Sequence, residues 1–447
     1  MTSGEPRSAP AAGAPAPTAP SAGGWRAPRS PGRLAATVEL PGSKSLTNRM
    51  LILAALSSSP TRITAPLRAR DTLLMAQALR ALGASVIDSG PDWIVTPAPL
   101  RGGPVDCGLA GTVMRFVPPI AALASGDSRF DGDPQARLRP MVTLIDGLRQ
   151  AGVEIDDGGT GRLPFTVAGQ GSVPGGRVEL DASASSQFVS ALLLAGARFD
   201  KGVEIVHVGG PLPSLPHIAM TLAVLRSAGV TIDDSQANRW RVGPAEINLP
   251  DTVIEPDLSN AAPFLGAALI SGGSVTIPRW PSRTTQAGDA LRALLADLGA
   301  RVELRGDGLT VTGTGRIQPL TANLGDVSEL TPVLAALCAL ADGESRLSGV
   351  AHIRGHETDR LAAIRAELTG LGGDVEETAD GLVIRPARLH GGEWHAYADH
   401  RMAQAGALLG LTVDGVVVDD IASTTKTIAD FPALWSDLLS QVSRTGA

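Results

Sequence analysis

The sequence predicts an α/β protein arranged as two domains, each of three pseudo-symmetric units. Three observations predict it. A helix end, a glycine and a strand recur along the chain at near-equal intervals, marked by Gly83, Gly152, Gly229, Gly299 and Gly372. A small-residue helix running through a turn into a β-branched strand occurs six times: Ala54 to Ile63, Ala121 to Phe130, Ala191 to Val206, Ala267 to Ile277, Leu337 to Leu347 and Leu408 to Val418. Polar helix starts keep the same beat, at Lys44, Gly111, Ser186, Ser259, Ser328 and His400.

Each unit has the same local logic. A glycine just past an amphipathic helix is a C-cap, and the β-branched run beyond it is a strand. Helix and strand alternating in this way give an α/β fold. A period of about 70 residues exceeds those of the common solenoids, which favours globular pseudo-symmetry.

Composition narrows the class. A net charge of −7 argues against a nucleic-acid partner, and no run of 18 apolar residues offers a membrane span. Cys107 and Cys338 form neither a disulfide framework nor a metal spacing, which fits a reducing cytoplasm. Residues 1–33, rich in Ala, Pro, Gly and Ser, lack the apolar core of a secretory signal and read as a disordered tail. Residues 443–447 read as a frayed end. Of 38 basic residues only Lys44, Lys201 and Lys426 are lysines, so a lysine kept where arginine is the rule draws attention.

The helix starts hold the candidate chemistry. A helix N-terminus presents free N–H groups and partial positive charge, and so binds anions. At any one start, Ser, Thr, Asn or Asp is equally an ordinary N-cap. Six in phase, several with an added cation, point to anions. In Pro41-Gly42-Ser43-Lys44-Ser45, Lys44 sits at a turn; Ser45 and Arg49 then share a helix face, while Leu46, Met50 and Leu53 mark the buried stripe. This is not a Walker loop. Arg115 follows Ala110-Gly111-Thr112 by one turn, and Gly132 to Pro140 reads as a surface loop with Arg137 and Arg139. His352, His356 and Glu357 lie close together but lack the His-Glu-x-x-His order, so no metal is predicted. Glu357 and Arg360 read as the start of a helix with apolar positions Leu361, Ile364, Leu368 and Leu371. A carboxylate there is favoured by the helix dipole and is also a candidate proton shuttle. Asp399-His400-Arg401 and Thr425-Lys426-Thr427 complete the set.

In order and spacing, Pro41 to Arg49, Ala110-Gly111-Thr112, Ser185-Ser186-Gln187-Phe188, Glu357-Thr358-Asp359-Arg360, Asp399 to Ala403 and Thr425-Lys426-Thr427 resemble the 5-enolpyruvylshikimate-3-phosphate synthase family, over nearly the whole chain after residue 34. The resemblance implies two domains, each of three βαβαββ units, with the active site in the cleft between them. The first domain would comprise 34–43 plus 258–442 and the second 44–257, with crossovers near Ser43 and Asp257. It implies transfer of the enolpyruvyl group of phosphoenolpyruvate to shikimate 3-phosphate, by a cytoplasmic monomer without cofactor or metal.

By position, Glu357 resembles the family's proton donor, Glu329 its proton acceptor and Lys44 the lysine touching both substrates. Ser45, Arg49, Ser185, Ser186, Ser214 and His356 would hold shikimate 3-phosphate, with Gln187 between the ligands. Gly111, Arg139, Arg360, Arg401 and Lys426 would hold phosphoenolpyruvate. Three positions depart from the family pattern: Leu109 replaces an asparagine, His356 a lysine and Glu329 an aspartate. The related UDP-N-acetylglucosamine enolpyruvyl transferases carry a reactive cysteine in the loop matching Gly132 to Pro140, where this chain has none. A non-catalytic anion-binding module would leave Glu329 and Glu357 without a task. A hydrolase would need a metal on His352, His356 and His400.

Overall fold

A computed structural model describes residues 24–306 and 308–443. Six small sheets are present among them, five of four strands and one of three. One unit shows the plan. Gly176–Leu180 runs parallel to Val203–His207 through the crossover helix Gln187–Gly196, while Arg239–Val242 lies antiparallel to both Val203–His207 and Ile232–Asp233. The expected glycine caps are present, with φ between 83° and 108° at Gly83, Gly152, Gly229, Gly299 and Gly372. A side chain resists that left-handed backbone, so glycine ends each helix cheaply.

Two sheets borrow their first strand from a distant part of the chain. Thr252–Val253 pairs in parallel with Thr61–Thr64, and Ala35–Thr37 pairs in parallel with Ser274–Pro278. The apolar side chains gather accordingly into two cores. One runs from Leu46 to Ile254, and the other joins Ala27 to Leu40 with Leu258 to Leu439. The chain passes between cores at two antiparallel segments that bond to each other: Ser43 N–H donates to Glu255 O (2.8 Å) and Asp257 N–H to Pro41 O (2.9 Å). Gly42 lies in this seam, where an added Cβ would overlap the Ala65 carbonyl oxygen. Gly42→Ala should therefore destabilise the fold by about 1–3 kcal/mol, measurable as a lower denaturant midpoint.

The sixth sheet corrects the sequence reading. By composition residues 24–33 belong to the tail, yet Trp25–Arg26 pairs antiparallel with Val416–Val418, Trp25 meets Phe431 edge-on and Ala27 is buried. A very short strand whose partner lies near the other end of the chain leaves no local signal against an Ala/Pro background. The rest of the tail, 1–23, and 444–447 lie outside the described residues.

The inner helices are buried all round rather than along a stripe. In Lys44–Leu56 every residue from Leu46 to Leu56 is buried, because Gly111–Phe116 and Gln187–Gly196 pack against it as a triad. Ala262–Ser271, Thr331–Cys338 and His400–Gly410 form the second triad. Small residues let these backbones approach closely, as at Gly406, where a Cβ would press on the Trp394 ring.

Candidate active site

Each triad presents its helix starts to one shared cavity between the two cores. All fifteen residues to which the resemblance gives a role line it: Lys44, Ser45, Arg49, Gly111, Arg139, Ser185, Ser186, Gln187, Ser214, Glu329, His356, Glu357, Arg360, Arg401 and Lys426. In the sequence they stretch from Lys44 almost to the C-terminal helix; the pseudo-symmetry brings them together.

Charge inside the cavity opposes that of the chain. Seven cations line it (Lys44, Arg49, Arg115, Arg139, Arg360, Arg401 and Lys426) against four carboxylates (Asp71, Asp257, Glu329 and Glu357), a formal excess of three positive charges. Several polar nitrogens are buried without a partner. Arg139 Nε and Nη1, Arg115 Nε and His400 Nδ1 are buried and unbonded. Buried polar atoms of this kind are costly unless something meets them. Gly111 permits the crowding, since a Cβ there would stand 2.8 Å from Arg115 Nη1 and 3.1 Å from Arg139 Nη1.

One wall is built around Glu357. Lys426 Nζ and Arg360 Nη2 (3.2 Å) both engage its carboxylate. Arg360 also grips Asp399 with Nε (2.7 Å) and Nη2 (3.0 Å), and Asp399 caps the next helix by accepting from Arg401 N–H (2.8 Å). Burial alone would raise the Glu357 pKa, but Lys426, Arg360, Arg139 and His400 outweigh it and hold the carboxyl well below its ordinary range. His356 is pushed well below the usual imidazole value, by burial first and then by Arg360, and is neutral at pH 7. Arg360 Nη1 approaches its Nδ1 at 3.1 Å. Guanidinium only donates, so Nδ1 accepts and the proton sits on Nε2.

Arg49 and Glu329 line the same cavity from the two different halves of the chain. Arg49 spends Nε on Thr221 Oγ1 (2.8 Å), Nη1 on the Ser45 carbonyl (3.0 Å) and Nη2 on the His217 carbonyl (3.0 Å). Three of its five N–H donors are thereby fixed. Glu329 Oε1 accepts from Ser259 Oγ (3.0 Å) and lies 4.0 Å from His217 Nε2. Lys44 sits 3.4 Å from Asp71 Oδ2, its pKa lowered mainly by burial. Ser214 has φ 53°, and although it precedes helix Leu215–Ser227 its hydroxyl makes no cap bond, leaving Oγ free at the cavity.

Two local expectations need correction. Glu357 is not in the first turn of a helix; the helix starts at Arg360, and Asp359 takes the capping role by accepting from Ala362 N–H (3.1 Å). Freed from a helix, Glu357 can point inward. The loop from Gly132 to Pro140 is a surface turn only in part: Arg137 pairs with Asp131 in solvent, while Arg139 is buried at the cavity. Leu109, where the resemblance would place an asparagine, is absorbed into the apolar core.

Other lining residues escape sequence reading. Asp71 lies in the outer helix Arg70–Ala81, out of phase with the six markers, and only tertiary approach reveals it as the partner of Lys44. His217 follows Ser214 by less than one turn and could be found by asking what else that start presents. Arg115, by contrast, is readable in the sequence one turn beyond Gly111, and the structure shows it donating to Gln187 Oε1 at 2.8 Å. Among the described residues, no three His, Cys, Asp or Glu side chains cluster so as to hold a metal ion. No helix among them is long and apolar enough to cross a membrane.

The chain as a whole is similar to known proteins. The family profile of EPSP synthase (3-phosphoshikimate 1-carboxyvinyltransferase) matches residues 28–435. The chain belongs to this family. A 3-phosphoshikimate 1-carboxyvinyltransferase of Kocuria rhizophila is 54% identical over 429 residues, covering 93% of this chain and 96% of the relative. An EPSP synthase structure from Acinetobacter baumannii superposes with a TM-score of 0.74 at 23% identity, covering 93% of this chain and 97% of that one. The enolpyruvyl transferase NikO from Streptomyces tendae gives 0.72 at 20% identity, covering 92% and 96%. At such identities the two structures speak for the two-domain EPSP synthase fold alone. Family and relative together make the chain a transferase of the shikimate pathway, which supplies the aromatic amino acids.

Proposed function

We propose that the cavity transfers the enolpyruvyl group of phosphoenolpyruvate to the 5-hydroxyl of shikimate 3-phosphate by addition and elimination, releasing phosphate. The observation that carries this reading is the joining of seven cations to two carboxylates in unlike settings within one cavity. Both substrates are polyanions, which accounts for cations gathered inside an acidic chain. Addition requires a proton delivered to the methylene carbon of phosphoenolpyruvate while the 5-oxygen bonds to its C2 and loses a proton. Elimination takes a proton back from that carbon and expels phosphate.

In this reading Glu357, flanked by Lys426 and Arg360, is the acid toward the methylene carbon. Glu329, held by Ser259, is the base toward the hydroxyl. Arg139, Arg360, Arg401, Lys426 and the Gly111 helix start take the phosphate and carboxylate of phosphoenolpyruvate, with Arg115 supporting Gln187. Ser45, Arg49, Ser185, Ser186 and Ser214 take shikimate 3-phosphate, and neutral His356 offers Nε2–H where the family has an ammonium. Lys44 lies between both ligands.

The UDP-sugar alternative draws no support from the cysteines. Cys107 and Cys338 are buried in the apolar cores, and burial pushes the thiol of Cys338 up to about 12 and that of Cys107 higher still. Two free, buried thiols suit the reading of a cytoplasmic enzyme, and a cavity lined by one chain suits that of a monomer. The test is phosphate release. It should require shikimate 3-phosphate and phosphoenolpyruvate together and persist in chelator. Release with a UDP-sugar in place of shikimate 3-phosphate would reassign the acceptor.

A further inference from the structure

The proposed chemistry leaves one strained feature unused: the turn that enters helix His400–Gly410. Tyr397 and Ala398 both adopt left-handed backbone, with φ 56° and 54°. Side-chain-bearing residues rarely do so, and two in succession persist only where their surroundings over-determine them. Here the surroundings are specific. The Tyr397 hydroxyl donates to Glu367 Oε1 (2.6 Å), and His395 N–H donates to Glu367 Oε2 (2.8 Å). Ala396 N–H donates to Asp419 Oδ1 at 2.8 Å. On the far side of the turn, Asp399 accepts both bonds from Arg360.

Arg360 and Glu367 belong to one helix, Arg360–Gly370, and stand about two turns apart on one face. Both are nearly buried, at 2% and 5% exposure. That helix thus grips the strained turn at both ends, and Arg360 reaches the cavity from the same grip. Neither Tyr397 nor Glu367 lines the cavity.

We propose that Tyr397 and Glu367 are positioning residues for the phosphoenolpyruvate half of the site. Their hydrogen bond fixes the left-handed turn at 397–398 and so sets the register of Asp399, Arg360 and Arg401. The proposal rests on the reading above that Arg360 and Arg401 receive phosphoenolpyruvate.

Tyr397→Phe keeps the ring and removes the hydroxyl. KM for phosphoenolpyruvate should rise about tenfold while KM for shikimate 3-phosphate changes less than about twofold. Glycine adopts the left-handed region freely, so adding Ala398→Gly should restore KM for phosphoenolpyruvate to within about threefold of wild type. Ala398→Gly alone should raise Tm by about 2 °C through relief of strain. A merely structural bond would lower Tm without this split or rescue. An unchanged phosphoenolpyruvate KM in Tyr397→Phe overturns the proposal, as does a double variant no better than the single one. If the wild-type chain releases no phosphate, the substrate reading fails separately. The grip is then judged by hydrogen exchange at the Arg401 and Met402 amides: faster exchange in Tyr397→Phe and recovery in the double variant support it, and no change overturns it.

Discussion

Glu357→Gln should lower kcat by about 1,000-fold while both substrates still bind, because it removes a proton carrier and keeps the shape. In the free protein the surrounding cations hold Glu357 ionised, and an ionised carboxylate has no proton to give. The proton must therefore arrive with the substrates. Their phosphates and carboxylate neutralise Lys426, Arg360 and Arg139, the depression of the Glu357 pKa is relieved, and the carboxyl protonates. Formation of the ternary complex should take up about one proton in the wild type and none in Glu357→Gln, read as the buffer dependence of the binding enthalpy. A wild-type complex that binds without proton uptake would remove Glu357 from the donor role.

The same charge arrangement fixes the pH dependence of stability. The folded-state pKa of Glu357 lies below its ordinary value of 4.5, so its ionised form favours the fold. That contribution is fully present above about pH 4.5 and is lost as pH falls through the depressed value. Glu357→Gln should accordingly show a shallower loss of stability on acidification than the wild type.

How much of this is legible in the sequence follows from the range of each signal. The repeat is legible because a C-cap glycine and a helix start are local events, fixed by φ and by four free N–H groups. Asp399-His400-Arg401 shows local and long-range information side by side. That a helix starts there is readable from Asp399 alone, but that Arg360 grips Asp399 from a different helix is not. Trp25–Arg26 and Asp71 are illegible for the same reason: the first gains meaning only beside Val416–Val418, the second only beside Lys44. Glu357 is found by its residue type but misplaced, since Asp359 and Glu357 compete for the helix start and only packing decides which turns inward.

Lys44→Met should be as damaging as the loss of Glu357, for a different reason, and the difference can be measured. Lys44 stands at the crossover, its own N–H donating to Asp257 Oδ2 (3.1 Å) and its ammonium facing Asp71. Burial lowers its pKa, so the charge is kept against a desolvation cost and is worth most where a second negative group arrives. Removing one preorganised charge from such a site costs about 100- to 1,000-fold in kcat. Lys44→Met also leaves the buried Asp71 without its cation, which lowers stability independently of catalysis. The double variant Lys44→Met/Asp71→Asn separates the two effects: Tm should recover toward wild type while kcat stays low. Recovery of activity together with Tm would mean that Lys44 serves the fold alone. Lys201→Arg is the control, because Lys201 lies in an exposed turn after helix Gln187–Gly196, where a guanidinium serves as well as an ammonium; its kcat should stay within about twofold of wild type.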